Sequence, residues 1–261
     1  MICTEGQPFG ANYNPLYSGE GLKGHTGQDW SCGWGSEIKS PVAGLCYKVW
    51  TPENTPDPAG YTRVDILVDN GIESYEYEIG HLTPSVQPGT QVNVGDILGT
   101  EANHGPVFSG NIPISLAMQK SGDQRGHHRH EQKRPFQKVL STDGVLLSGQ
   151  YGSTYRDDQG MYYQIWNYSN GYDGCIDPSL PIFQRDLWVG ANGYDVYVLQ
   201  RFLVSRGYLK ANPTGYYGAL TTNAVASWQK DNSINPIMGY FGAKTRASIL
   251  PLIPIVNQQP Q

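Results

Sequence analysis

The sequence predicts an α+β, multidomain chain, in which an antiparallel β-rich N-terminal domain precedes a small C-terminal three-helix bundle. Short β-branched or aromatic segments separated by turn signals occupy residues 36–120, whereas the hydrophobic period becomes helical after Arg185. The length of 261 residues suits about two domains, and a hydrophobic content of 38% is enough for packed cores.

Four short segments are predicted to form strands in the N-terminal domain: residues 42–50, 63–68, 74–79 and 112–118. Apolar and polar residues alternate in the second and third of these segments, which indicates half-buried antiparallel strands. The polar stretch that follows them is predicted to be a loop, at residues 121–135. The expected domain limits are 1–140 for the β domain, 141–183 for a Tyr/Gly/Asn-rich connecting segment, and 184–261 for the helical domain with a short tail.

The first C-terminal helix is predicted from one apolar face, formed by Val196, Leu199, Phe202 and Leu203. Asp195 is placed to cap the start of this helix, and Gly207 to cap its end. A second helix is predicted over residues 221–232.

An internal repeat flanks the second helix. Gly-Tyr-Tyr-Gly-Ala-Leu-Thr at 215–221 recurs as Gly-Tyr-Phe-Gly-Ala-Lys-Thr at 239–245. Each copy predicts a glycine-bounded turn that leads into a helix beginning near its threonine.

Composition narrows the classes of partner. Only 16% of residues are charged, below the ~25% usual for soluble domains, while 18 are tyrosine. Such a surface favours an extracellular or virion protein that contacts polar polymers. Virion or cell-envelope proteins are further candidate partners. A net charge of −5 argues against nucleic acid. No apolar run reaches the length of a membrane span, and no signal peptide is visible.

Four cysteines permit three complete pairings, and none lies in a Cys-x-x-Cys zinc motif. A Cys32–Cys46 disulfide is favoured because it would close a short loop, with Cys3–Cys175 as a weaker second pair. The alternative for Cys32 and Cys46 is two buried, reduced thiols.

The C-terminal pattern closely resembles the three-helix peptidoglycan-binding domain of cell-wall hydrolases and phage lysins. The resemblance covers about residues 185–250 and includes the Leu199-Gln200 pair and both Gly-x-x-Gly-x-x-Thr turns. It implies a domain that docks on wall polymer and has no catalytic role. The candidate contacts are Tyr216, Tyr217, Tyr240 and Phe241, of which at least one per turn is expected to pack inward.

Residues 20–120 resemble lysostaphin-type zinc endopeptidases. His25-Thr-Gly-Gln-Asp29 is similar to that family's His-x-x-x-Asp segment, and Ile79-Gly-His81-Leu is similar to its Tyr-x-His-Leu strand end. The stretch 86–100 matches its Val-x-x-Gly-x-x-Val-x-x-Gly-x-x-Ile-Gly hairpin. The resemblance implies His25 and Asp29 as zinc ligands and His81 as an auxiliary catalytic histidine that stabilises the tetrahedral intermediate.

The resemblance also implies a third ligand and a second catalytic histidine on a following His-x-His strand. The strand expected at 110–117 has no histidine and places Pro113 and Ser115 there, so the zinc ligand set is incomplete. His104 could substitute as the third ligand. A His-x-His also occurs at His128–His130, next to His127, but its polar flanks favour a solvated basic loop.

Two functions remain at this point. The favoured one is a peptidoglycan-targeting protein whose endopeptidase-like domain is catalytically degenerate and serves as a binder or partner surface. The alternative is an active zinc-dependent peptidoglycan endopeptidase that cleaves peptide cross-bridges with a substituted third ligand. Both predict targeting to the cell wall.

Overall fold

The structure is a computed structural model that describes residues 3–11, 24–139, 151–156, 162–166 and 181–253. Cys175, most of the connecting segment and the C-terminal tail therefore lie outside the described residues. The strands, in chain order, are β1 Thr4–Glu5, β2 Gln28–Ser31, β3 Glu37–Lys39, β4 Gly44–Trp50, β5 Arg63–Asp69, β6 Ser74–Gly80, β7 Leu82–Pro84, β8 Gln91–Val92, β9 Ile97–Glu101, β10 Val107–Ser109, β11 Ile112–Ile114, β12 Arg129–Val139, β13 Tyr151–Arg156 and β14 Tyr162–Trp166.

Antiparallel pairing organises the N-terminal strands into one large sheet and two small ones. The large sheet has the order β1-β2-β12-β6-β5-β4-β8, and β14 and β13 extend it from β12. A three-stranded sheet has the order β3-β9-β7, and β10 pairs with β11. One apolar cluster joins the large sheet to the three-stranded sheet, with residues such as Ile66, Tyr77, Ile38 and Leu98 all essentially inaccessible to solvent. The predicted β-rich domain is confirmed.

Strand β6 is buried on both faces, although its alternating sequence predicted a half-buried strand. Its apolar side chains enter the core, while Glu76 and Glu78 face a buried set of opposite charges. Arg134 lies 2.9 Å from Glu76 and 2.6 Å from Glu78, and Arg63 lies 2.9 Å from Glu78. Two glutamates are tolerated here because each is paired with an arginine.

The prediction of a loop at 121–135 is wrong, because this segment contains most of strand β12. This strand lies between β2 and β6 and pairs with both. Its polar side chains are buried in pairs: Arg129 lies 2.9 Å from Glu131, and the Tyr77 hydroxyl donates to Glu131 at 2.6 Å. Partners within β12 and on β6 thus replace solvent for a segment whose polarity alone suggested exposure.

The strand predicted at 112–118 is shorter than expected. β11 ends at Ile114, and a short helix, α1 Leu116–Lys120, follows it. The hydroxyl of Ser115 accepts a hydrogen bond from the backbone N–H of Met118, so Ser115 caps this helix.

The favoured Cys32–Cys46 disulfide is wrong. Cys32 is bonded to Cys3, and Cys46 is a buried free thiol on β4. Pairing of β1 with β2 sets Thr4 opposite Ser31, which brings the two neighbouring cysteines together. Burial, together with the charge of Asp65, raises the pKa of Cys46 to about 11, so this thiol stays protonated.

The C-terminal domain is a bundle of three helices: α2 Tyr194–Ser205, α3 Ala219–Asp231 and α4 Ala243–Ile249, with a 3-10 turn at Leu250–Leu252. Gly207 follows α2 with a φ of 79°, as expected for a left-handed C-terminal cap. Asp195 does not cap α2, because the cap residue is Gly193; Asp195 lies in the first turn and pairs with Arg185. Among the described residues, no helix is long and apolar enough to cross a membrane.

A pair of buried glutamines explains the repeated turns. Gln200 accepts hydrogen bonds from the N–H groups of Thr214 and Gly215 and donates to the Tyr216 carbonyl and the Thr221 hydroxyl. Gln229 makes the same four contacts one repeat later, with Met238, Gly239, Tyr240 and Thr245. Each glutamine therefore fixes one turn against the helix before it.

The bundle packs directly on the turn between β5 and β6. The Tyr194 hydroxyl donates to the Ser74 carbonyl at 2.6 Å and accepts from the Ser74 N–H at 2.8 Å. Arg201 lies 2.7 Å from Asp69, and Ile72 belongs to the apolar core of the bundle. The two domains thus share a buried contact in addition to the covalent connection.

Tyr194→Phe is expected to lower the free energy of unfolding by about 1–3 kcal/mol, because it leaves two buried backbone groups of Ser74 without their partner. Urea denaturation measures this. Tyr208→Phe is the matched control, since it removes an exposed hydroxyl contact to Asp231 and should cost under about 0.5 kcal/mol. Equal losses of unfolding free energy in the two variants would contradict a stabilising contact between Tyr194 and Ser74.

Candidate metal and hydrolytic site

Three buried side chains converge at one end of the large sheet: His25, Asp29 and His130. His25 Nε2 lies 2.9 Å from His130 Nδ1 and 3.2 Å from Asp29 Oδ1, and His130 Nδ1 lies 2.9 Å from the same oxygen. All three residues are less than a tenth exposed. Two imidazole nitrogens and one carboxylate oxygen therefore point at a common position.

Strand register brings these residues together. β12 pairs His130 with Asp29 of β2 on one side and with Gly80 of β6 on the other. Gly27 is needed for this approach, because a Cβ atom there would lie 2.2 Å from the Glu131 carbonyl oxygen and within 3 Å of the His130 ring. The glycine between His25 and Asp29 is thus part of the site.

Contacts with groups outside the cluster set which ring nitrogen of His25 and of His130 faces it. His25 Nδ1 lies 3.3 Å from the Pro8 carbonyl oxygen, and His130 Nε2 lies 3.1 Å from the Gln132 side-chain oxygen. Since these oxygens only accept, each of those nitrogens can donate to its oxygen, which leaves the other nitrogen directed at the cluster, where it would offer a lone pair to a bound metal.

The donor set fits a zinc ion. Zinc takes imidazole nitrogen and carboxylate oxygen at about 2.0–2.1 Å in a tetrahedral arrangement, which separates its ligand atoms by about 3.3 Å. The three atoms are 2.9–3.2 Å apart, so the rearrangement needed is a few tenths of an ångström. Burial raises the pKa of Asp29, but hydrogen bonds from His130 and His25 outweigh it and hold the pKa below its usual range. Asp29 is therefore ionised, which is the form of a carboxylate that binds metal.

Two further histidines adjoin the cluster. The rings of His81 and His128 have centroids 4.4 Å apart, and His128 Nε2 lies 3.7 Å from Asp29 Oδ1. His81 Nδ1 contacts the His104 carbonyl at 2.7 Å and His128 Nδ1 contacts the Gly126 carbonyl at 2.8 Å. In both rings Nε2 is therefore the nitrogen left for proton transfer.

His81 is held in an unusual backbone conformation. Its φ of 58° lies in the left-handed region, which is strained for a residue with a Cβ atom. The turn is fixed by hydrogen bonds from the His81 N–H to Thr62 and from the Ala102 N–H to His81. Burial, followed by the charges of His128 and His130, holds the pKa of His81 well below its usual value.

The structure brings together His25, Asp29 and His81 from the predicted set, but the His104 ring lies outside the cluster. His104 contributes its carbonyl to His81, and its Nε2 is 3.2 Å from the Thr83 hydroxyl. Pro113 lies on β11 and Ser115 caps α1, so neither belongs to the His-x-His strand. The His-x-His motif at His128–His130 spans the start of β12, a segment that sequence reasoning assigned to a loop. The motif itself was the signal that could have located this strand.

The candidate wall contacts divide into an exposed and a buried pair. Tyr216 and Tyr240 are 53% and 43% exposed, whereas Tyr217 and Phe241 are fully buried in the core of the bundle. Trp188, which sequence reasoning missed, is 53% exposed and stacks nearly parallel to Tyr240 at an angle of 18°. The exposed aromatic surface of the bundle is therefore formed by Tyr216, Tyr240 and Trp188.

Residues 192–249 match the family model described as a putative peptidoglycan binding domain. This stretch spans α2, α3 and α4. The predicted identity of the C-terminal domain is confirmed. Among curated proteins, none matches the sequence significantly.

Three solved structures are similar to part of this chain. The catalytic domain of a prophage-encoded M23 protein from Enterococcus faecalis is 21% identical, with 51% of this chain and 81% of that chain covered and a TM-score of 0.36. The catalytic domain of lysostaphin from Staphylococcus simulans is 16% identical, with 67% and 88% covered and a TM-score of 0.38. A zinc-containing peptidase from Vibrio cholerae is 17% identical, with 50% and 32% covered and a TM-score of 0.33.

Proposed function

We propose that this chain is a zinc-dependent peptidoglycan endopeptidase that is held at the cell wall by its C-terminal domain. The observation that carries the proposal is the position of His130, directly opposite Asp29 and 2.9 Å from His25. The interpretation of this domain as catalytically degenerate depended on the strand expected at 110–117, which contains no histidine. In this proposal His130 of strand β12 is the third metal ligand, and His128, directly before that strand, is a second auxiliary histidine.

His25, Asp29 and His130 would hold the zinc ion. Three ligands leave a fourth position, and zinc bound in this way lowers the pKa of a water molecule and polarises a substrate carbonyl. The surrounding groups keep these ligands rigid, because His25 and His130 are each oriented through their second ring nitrogen. Both donor atoms and orientation therefore suit amide hydrolysis.

His81 and His128 would move the proton. Each ring has its Nδ1 proton donated to a backbone carbonyl, so Nε2 can accept a proton from the attacking water. The imidazolium so formed can donate to the carbonyl oxygen in the tetrahedral intermediate or to the leaving nitrogen. The His128 ring adjoins Asp29 and the His81 ring adjoins His128 and His130, so both would lie beside the reacting carbonyl.

The test is release of muropeptides from purified sacculi by the full chain. Release is expected with added zinc, and we expect it to cease with a chelator and in His25→Ala. New amino termini within the peptide cross-links would identify an endopeptidase. A zinc-loaded chain that pellets with sacculi but releases nothing would instead indicate a wall-binding protein on a peptidase-like fold.

The C-terminal domain is proposed to place the enzyme on the wall through Tyr216, Tyr240 and Trp188, which would locate the protein at the cell wall or outside the cell. The double variant Trp188→Ala/Tyr240→Ala should bind sacculi about ten-fold more weakly in a pelleting assay, because exposed aromatic anchors dominate such contacts. Leu220→Ala removes another exposed side chain of the bundle and is the control. Equal binding by both variants would exclude the aromatic surface.

A further inference from the structure

A second cluster of polar side chains adjoins the histidines of the site and is not used by the proposed chemistry. It consists of Ser31, Glu101 and His127, with Trp34 beside it. His127 Nδ1 lies 2.6 Å from Glu101 Oε1, and the Ser31 hydroxyl donates to the same oxygen at 3.1 Å. The Trp34 and His127 rings meet edge to face, with centroids 6.3 Å apart.

Glu101 is a buried anchor, with only 1% of its surface exposed. Its carboxylate also accepts hydrogen bonds from the backbone N–H groups of Cys32 at 2.7 Å and Gly33 at 3.3 Å. The loop that carries Trp34 is therefore tied to the carboxylate that holds His127. This charge-assisted set of contacts holds the His127 ring and the backbone that leads to Trp34.

The cluster lies next to the reacting groups by strand register. Ser31 is two residues beyond Asp29 on β2, so both side chains leave the same face of the strand. Glu101 precedes Ala102, whose N–H donates to the His81 carbonyl and whose carbonyl accepts from the His128 N–H. His127 directly precedes His128. A substrate lying across the site would thus meet His127 and Trp34 next.

The outward side of this cluster is accessible. Trp34 is 41% exposed, and the His127 side chain is 29% exposed. Because a carboxylate only accepts, His127 Nδ1 carries the proton and Nε2 of the neutral ring is an acceptor. Within the described part of the chain, His127 Nε2 has no hydrogen-bond partner. A rigid acceptor beside an indole ring suits an N–H group on an extended peptide.

We infer that His127 and Trp34 form a peptide-binding subsite, in which His127 Nε2 accepts a hydrogen bond from an N–H of the peptidoglycan cross-link and Trp34 packs on the adjoining residue. This inference rests on the proposed function, since it names the part of the substrate that this surface holds. Glu101 is the positioning residue of the subsite.

The decisive variant is His127→Asn, compared with His127→Ala. Asparagine places its amide where Nδ1 lies and so keeps a donor for Glu101, but it has no atom at the position of Nε2. The probe is a set of glycan-free, cross-linked stem-peptide dimers. With the zinc-loaded full chain, His127→Asn and His127→Ala should each raise the KM for these dimers about five- to ten-fold, the usual effect of losing one hydrogen bond. Trp34→Ala should raise KM by a similar factor, because it removes the ring that packs on the adjoining residue. All three variants should keep kcat within about two-fold of the wild type.

Three results separate the possibilities. If the wild type cleaves the dimers and His127→Asn has an unchanged KM, the subsite is overturned while the proposed function stands. If the wild type cleaves nothing, the proposed function fails, and calorimetric binding of the dimers decides the inference. Weaker binding by His127→Asn than by the wild type would then support it, and equal or undetectable binding would overturn it.

Discussion

Replacing His130 with alanine is expected to reduce muropeptide release by at least roughly 10³-fold, because the variant keeps only two of the three ligands that would hold zinc. The substitution removes the nitrogen that lies 2.9 Å from both His25 Nε2 and Asp29 Oδ1. Zinc content after dialysis, measured by native mass spectrometry, should fall together with release from sacculi.

His104→Ala is the matched control for this variant. Its imidazole lies outside the ligand cluster, and the carbonyl that contacts His81 survives the substitution. We expect it to keep zinc and to release muropeptides within a few-fold of the wild type. Loss of zinc in His104→Ala with retention in His130→Ala would reverse the ligand assignment. A thermal melt of each variant checks that the β domain remains folded.

The second large effect is expected from His128→Ala. This substitution should lower kcat by about 10²–10⁴-fold, the range typical for loss of a proton-transferring group, while the variant still binds one zinc ion. Zinc retention separates this role from that of His130, which lies two residues further along the chain. Full activity in His128→Ala, or loss of the metal, would show that the residue has a different role.

The double variant His81→Ala/His128→Ala sharpens this prediction. Because the two rings are 4.4 Å apart and would serve the same proton, their effects should not add. We expect the double variant to be only slightly slower than the slower single variant. Additive losses would place the two histidines in separate steps.

Local patterns in the sequence predicted much of the fold. The alternation in residues 63–68 and 74–79 located β5 and β6 within one residue at each end. The helical face that starts at Val196 and the repeated turns located α2 and α3, since period and turn chemistry are encoded within each segment.

Strand β12 could not be predicted in the same way. Residues 129–134 are all polar, and their side chains are buried or half-buried because they have partners within the sheet, as Glu78 is for Arg134 and Tyr77 for Glu131. A central strand of this kind has no apolar pattern. The sequence did not locate the proposed third ligand, His130, for the same reason, because His130 lies at the start of this strand.

The Cys3–Cys32 disulfide likewise could not be predicted from the local sequence. Cys32 and Cys46 are close in the sequence, but β1 pairs with β2 and carries Cys3 to Cys32, whereas Cys46 enters the core. Proximity along the chain favours a short loop in the unfolded state. Strand pairing in the folded state decided the outcome instead.

The most direct test of the metal site is X-ray absorption spectroscopy on the full chain loaded with zinc, together with its stoichiometry. We predict one zinc ion per chain, bound by two imidazole nitrogens and one carboxylate oxygen, with solvent completing a four-coordinate shell. Failure to bind zinc, or a shell with three or more imidazoles, would contradict a site built from His25, Asp29 and His130.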